Sequence, residues 1–368
     1  MDFQTCFVYF SLILCMLLFA KRSVSLAKTG KHITVTNYTF FIPILVFSLV
    51  IGLRYMVGID YERYLMLIED GASDFYFQSI EPVYQYLILF IEKHSLHFSF
   101  FFILSAFIQI FFFYKAFDRP LLFLLPWAIP LFIMTEIGSL ENGVRHFTAL
   151  LIFFYSLKHI KNQKLVYYII TVLLASLFHK SVLICFPLYF FTGREIIKSV
   201  YLRFGLVLFF LLASSFLRGQ LLSISAQLIV VLGYGNYLDA DKLVETGLGI
   251  YVIWIVNFIL IGFYPKLKDT YHKNGFLIYW NIFYIGLLLK PLLDYIQVFS
   301  RMNWYFYKFR FLIIAFLLHY LFHHRKNPVN MFFFVFVLLI MIVLFIYNII
   351  IGSEQMSPFY FIWDQVFY

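Results

Sequence analysis

The chain has 368 residues, of which 63% are hydrophobic and only 13% charged, and its mean hydropathy is +0.87. Soluble domains carry roughly 25% charged residues and expose most of their surface to water, so a water-soluble fold of this length could not hide so much apolar area. The same figures exclude disorder, collagen-like repeats and a disulfide scaffold, and leave an all-α, polytopic membrane helical bundle. A single integral membrane domain over residues 1–368 is expected, with about 12 transmembrane helices and outward-facing loops.

The first apolar run, residues 3–20, is followed by Lys21 and Arg22. A cleavable signal peptide has its basic residues before the run, so this segment reads as a retained first helix with its N-terminus outside. Further candidate spans follow at 38–53, 98–117, 120–136, 143–160, 165–178, 181–193, 204–217, 250–264, 275–292, 304–322 and 329–351. The pair 165–178 and 181–193 is short, and reads as two tilted helices meeting at a pocket or as one broken helix. Residues 81–92 cover about three turns with an acid at each end, which suits a segment lying along or dipping into the outer interface.

Charge tests this arrangement. With the N-terminus outside, the inner loops are 21–37, 115–120, 158–164, 194–203, 265–274 and 323–328. They hold 17 of the 28 Lys and Arg but 3 of the 19 acids: Asp118, Glu195 and Asp269. The remainder holds 11 basic and 16 acidic residues, so the inside carries +14 and the outside −5, as the positive-inside rule requires. The overall +9 is therefore a topology signal rather than a nucleic-acid signal, and no block of five like charges exists. Cys6, Cys15 and Cys185 sit in apolar runs without metal-site or disulfide spacing. The elaborated stretches 54–80 and 218–249 fall outside, as does the tail 352–368. There is no Gly-rich nucleotide loop and no cytosolic domain to hold a nucleotide.

Charged groups at the membrane boundary are costly and usually functional. Arg54 to Tyr64 supplies two guanidiniums, two carboxylates and three phenols around Gly58, and Arg54 has the planar fork that suits a phosphate. A capping ion pair in an outer loop is the plainer alternative. Glu141 to His146 opens another outer helix, where the free amides already favour anions and Arg145 adds a full charge; an arginine anchoring to headgroups would look similar. Phe178-His179-Lys180-Ser181 places an imidazole at a helix break. Arg301, Trp304 and Tyr305 share one face of a further outward-starting helix, which an aromatic belt would also explain.

Together these four elements suggest a cationic, aromatic-walled pocket under the outer leaflet, suited to a lipid-linked glycan. Asp239-Ala240-Asp241 has the spacing of metal-dependent glycosyltransferases, but a three-residue motif arises often by chance. No metal or cofactor is assigned.

The same clusters resemble the EpsG family of multispanning, Wzy-like exopolysaccharide and O-antigen polymerases. The matching residues are Arg54 with Gly58-Ile59-Asp60-Tyr61 and Tyr64, Glu81-Pro82, Asn142 with Arg145, Leu177-Phe178-His179-Lys180-Ser181, Arg301 with Tyr305, and Pro358 with Tyr360, over roughly residues 40–360. The loop 218–249 has no match. The resemblance implies a glycosyltransferase of the bacterial inner membrane that polymerises undecaprenyl-diphosphate-linked repeat units on the extracytoplasmic face. Both donor and acceptor would be lipid-linked glycans, and a chain-length regulator and a flippase would be its partners in the bilayer. It further implies that Arg54, Tyr61, Tyr64, Asn142, Arg145, Ser181, Arg301 and Tyr305 bind substrate. His179, Asp60 and Glu81 compete for the role of the base that deprotonates the acceptor hydroxyl. A flippase or other transporter would need a similar interior but with access from both faces, and an O-antigen ligase would share the chemistry with a different acceptor. A membrane O-acyltransferase would place its histidine toward a cytosolic donor.

Overall fold

The computed structural model describes residues 3–30, 34, 36–74, 76–217, 219–220, 223, 227, 249–294 and 297–364. Almost all of the described chain is helical, and it forms two compact units, residues 1–189 with 321–368 and residues 190–320.

The first unit begins with α1 (Phe3–Lys28) and α2 (Tyr38–Gly52). Asn37 starts α2 by accepting a hydrogen bond from the Thr39 amide. A two-residue strand β1 (Arg54–Tyr55) leads to α3 (Tyr61–Asp70) and α4 (Pro82–Lys93). Then come α5 (Ser99–Ala116), α6 (Leu125–Asn142), α7 (Val144–Lys161) and α8 (Leu165–Ser176). Helices α1 and α2 pack together, α2 packs on α5, α5 on α7 and α7 on α8. Gly52 permits one of these approaches, since a Cβ there would lie 2.4 Å from the Ile103 Cα.

Helix α8 breaks where the sequence suggested. His179 takes an extended conformation and a 3-10 helix, Lys180–Cys185, follows. The Tyr168 hydroxyl donates to the Cys185 carbonyl (2.5 Å), tying α8 to the end of the 3-10 helix. A four-residue α9 (Leu188–Phe191) ends this stretch.

The second unit contains α10 (Val200–Phe216), α11 (Gly249–Tyr271), α12 (Phe276–Leu293) and α13 (Gln297–Tyr307), and most of α14 (Arg310–His323). Ser199 caps α10 by accepting from the Leu202 amide. Arg203 is buried with its guanidinium 3.7 Å from the Tyr264 ring centre, while the Asn281 amide donates to the Thr192 and Arg194 carbonyls. The chain returns to the first unit with α15 (Pro328–Ile350), capped by Asn327 and packed on α6. The tail ends in β2 (Tyr360–Phe361), antiparallel to β1 with Arg54 opposite Phe361.

Seven of the described helices are long and apolar enough to cross a membrane, and four shorter apolar segments accompany them at 38–52, 165–176, 180–191 and 200–216. Helix α7 matches the long ones in length but carries Arg145, Lys158 and Lys161. The architecture is that of an all-α polytopic membrane protein. The span expected at 304–322 instead begins at Gln297 and is interrupted between Tyr307 and Arg310, where two residues leave the helix. The segment expected at 120–136 continues to Asn142, carrying Glu141 and Asn142 on its last turn. Residues 81–92 form the short helix expected of them, shifted by one residue.

Candidate active site

Glu81 is the first residue to explain. It occupies the N-cap of α4, followed by Pro82 at the first helical position, where an acid would ordinarily bond the helix amides. It makes no such bond. Its carboxylate turns away from the helix, and Oε2 accepts from Arg145 Nη1 at 2.5 Å while Oε1 lies 2.7 Å from His179 Nδ1. The Lys180 amide also points at Oε1 (3.4 Å). Three distant parts of the chain, the start of α4, the first turn of α7 and the break after α8, thus meet on one buried carboxylate.

Burial alone would raise the pKa of Glu81. The hydrogen bond from His179 and the charges of Arg145 and His179 outweigh that penalty and hold it at about 2. Glu81 is therefore an anion at any physiological pH. With Nδ1 facing a carboxylate, the neutral imidazole carries its proton on Nδ1 and leaves Nε2 as a lone-pair acceptor. The histidine keeps 27% of its side-chain surface exposed, as does Arg145, whereas Glu81 keeps 6%. The Tyr64 phenol interacts electrostatically with Arg145, whose Nε is buried with no hydrogen-bond partner among the described residues. His146, the next residue, sets its ring 4.9 Å from that of His179.

A second network lies beside this trio in the same unit. Arg54 is buried, and its three nitrogens donate to the carbonyls of Val57 (3.2 Å), Ile51 (2.6 Å) and Glu141 (3.0 Å). Its guanidinium lies over the Phe102 ring, and Tyr61 stacks on that ring at 4.6 Å. Gly58 turns the chain here with φ of +101°, where a Cβ would come within 3.0 Å of Asn142 Oδ1. The Glu141 carboxylate accepts from the Tyr9 hydroxyl (3.0 Å). Asn142 uses both ends of its amide: Oδ1 accepts from the Asp60 main chain (3.4 Å), and Nδ2 donates to Glu354 at its carbonyl (3.1 Å) and carboxylate (3.2 Å).

The residues singled out in the sequence thus fall into three groups. Glu81, Arg145, His179 and Tyr64 meet directly. Arg54, Asp60, Tyr61 and Asn142 form the neighbouring loop network, and Ser181 follows in the first turn of the 3-10 helix. Arg301 and Tyr305 belong to the second unit, where Arg301 lies 6.0 Å from the Trp304 ring centre and Tyr305 is fully buried. Asp239 and Asp241 lie outside the described residues. Tyr9 and Glu354 are members that sequence reasoning missed. Glu354 had a signal, being an acid in an apolar chain. Tyr9 had none, because one phenol among 28 in an apolar helix looks like an interface aromatic.

A family model described as the EpsG family matches residues 37–361. The comparisons with curated proteins and with solved structures found no match. The matched stretch takes in α2 through β2, including every member of the trio around Glu81. On that match the chain belongs to the EpsG family, whose members are membrane proteins of the exopolysaccharide and O-antigen polymerase type.

Proposed function

We propose that this protein polymerises lipid-diphosphate-linked oligosaccharide repeat units at the extracytoplasmic face, and that the Glu81–His179–Arg145 trio is its reaction centre. The observation that carries the reading is the shared carboxylate: one oxygen holds His179 Nδ1 and the other holds Arg145. A carboxylate behind an imidazole fixes the tautomer and orientation of a general base and stabilises the imidazolium once the proton arrives. Glu81 is then the positioning group and His179 the base.

In the reaction, a hydroxyl of the acceptor sugar attacks the anomeric carbon of the donor. The C–O bond to the diphosphate breaks, the diphosphate leaves with the electron pair, and the hydroxyl proton passes to His179 Nε2. The leaving group needs no acid if positive charge meets it. Arg145 suits that task, because its buried Nε has no acceptor among the described residues and a phosphate oxygen would supply one. The Tyr64 phenol adds to the polar surroundings of the guanidinium. The proposal includes an undecaprenyl carrier for both substrates and a place in the bacterial inner membrane, a reading that membership of the family supports.

His179→Gln tests it. Glutamine keeps a hydrogen bond to Glu81 but cannot take the proton. Purified protein supplied with a lipid-linked repeat unit should lose chain growth by about 10²–10⁴-fold, scored as a glycan ladder, at normal protein levels. Near-normal ladders from well-folded His179→Gln protein would remove the base role.

A further inference from the structure

The second unit holds a polar cluster that the reaction centre does not use. Asn257 on α11, Lys290 and Asp294 at the end of α12, Tyr307 at the end of α13 and Arg310 at the start of α14 meet inside helices of spanning length. Arg310 Nη1 donates to the Tyr307 oxygen (2.9 Å), which lies 3.1 Å from the Asn257 amide. Both cations crowd the same phenol: Lys290 Nζ lies 4.9 Å and the Arg310 guanidinium 5.1 Å from its ring centre. Lys290 pairs with Asp294 one turn on. Among the described residues Arg310 has no acid partner.

Counting donors and acceptors shows what is missing. Arg310 Nε and Asn257 Oδ1 are buried without a hydrogen-bond partner among the described residues. The two ends of an asparagine amide are interchangeable in outline. Turned over, Asn257 Oδ1 takes the Tyr307 proton, and its NH₂ becomes the unpartnered end. Every unsatisfied group is then a donor, since arginine and lysine have no acceptor to offer. Among the described residues, two cations against one carboxylate leave a net +1 in helices of spanning length, where an uncompensated charge is expensive. A ligand that only accepts hydrogen bonds and carries negative charge would satisfy all of it.

We infer that Asn257, Lys290, Tyr307 and Arg310 form a second anion site, which takes the phosphoryl group of a phosphate or diphosphate ester. Several acceptor oxygens on one centre match several donors converging from four helices, and a guanidinium beside an ammonium is a phosphate-binding pair. The inference stands apart from the reading of the Glu81 trio, because it uses none of those residues and neither outcome there alters the donor count here.

The test uses the full chain in lipid nanodiscs and isothermal titration with farnesyl diphosphate, inorganic pyrophosphate and farnesol, in an Arg145→Gln background that disables the first unit's cation. Farnesyl diphosphate should bind with a stoichiometry near one, and farnesol should not. Arg310→Gln should weaken binding about 10–100-fold, the loss of one charge-assisted contact. Lys290→Gln, at a side chain that keeps 17% of its surface exposed, should weaken it as well and serves if Arg310→Gln fails to accumulate. Pyrophosphate binding as tightly as the ester would identify a water-borne phosphoryl source, and preference for the ester a lipid one. Unchanged affinity in well-folded Arg310→Gln and Lys290→Gln proteins, or equal binding of farnesol, would overturn the site. Should Arg145→Gln alone leave total diphosphate binding at two per chain, the reading of the first unit fails while this one stands.

Discussion

Glu81→Gln is the sharpest perturbation available, because it changes one atom's chemistry and nearly nothing of shape. The carboxylate sits at about 2 against an ordinary 4.5. A depression of that size corresponds to roughly 3 kcal/mol by which the folded protein favours the anion over the neutral acid. Glutamine forfeits that preference and leaves Arg145 without its counter-ion, although water recovers part of the loss at a guanidinium whose side chain is 27% exposed. Its amide can also present the wrong hydrogen-bonding end to His179 Nδ1, which frees the ring to take the other tautomer. Chain growth should therefore fall by about 10²-fold or more at matched protein levels. The unfolding midpoint in detergent should drop as well.

The pH dependence has a definite sign. A depressed carboxylate contributes stability that is present in full above about 4.5 and disappears as pH falls toward 2. The gap in unfolding midpoint between wild type and Glu81→Gln should begin to close as pH falls below about 4.5 and be lost toward pH 2. Any change of rate between pH 5 and 8 belongs to a group other than Glu81. A Glu81→Gln protein with wild-type ladders and an unchanged midpoint would remove Glu81 from the reaction centre.

Two further perturbations follow from the same geometry. Arg145→Lys keeps the charge and can hold one oxygen of Glu81, but it lacks the Nε donor, so polymer yield should fall by about 10-fold or more with protein levels preserved; unchanged polymer length and yield would remove the phosphate role. Gly52→Ala drives a Cβ to 2.4 Å from the Ile103 backbone, so α2 and α5 must separate and the protein should accumulate poorly, which quantitative immunoblotting of membranes would measure.

Much of this was legible in the sequence, for definite reasons. Apolar runs of spanning length specify helices regardless of partner, so most boundaries fall within a few residues of their expected places. The break at His179 was visible because two apolar runs too short to cross flank a charged tetrapeptide. The role of Glu81 was hidden. Glu-Pro opening a helix is an ordinary start signal, and only the fold reveals that the carboxylate serves Arg145 and His179 instead of the helix amides. The interruption between Tyr307 and Arg310 was hidden too, since an arginine inside an apolar run marks a costly position without saying what it faces. Tyr9 and Glu141 could be paired by no local pattern, being 132 residues apart.

Arg54 and Arg145, indistinguishable by sequence pattern, should respond differently to the same change. Arg54 has Nε, Nη1 and Nη2 each bonded to a main-chain carbonyl, and it ties the end of α2 to the Val57 turn and to the last turn of α6. Lysine at position 54 would keep the charge but present a single nitrogen, which cannot serve three carbonyls pointing from three places. At least one would be left buried and unbonded, at about 1–3 kcal/mol each. Arg54→Lys should therefore lower the unfolding midpoint and the amount of protein in the membrane, while the rate per folded molecule stays within about threefold of wild type. Arg145→Lys should do the reverse. If instead Arg54→Lys protein accumulates normally, melts normally and loses polymerisation, then the guanidinium acts on substrate and its carbonyl bonds are incidental.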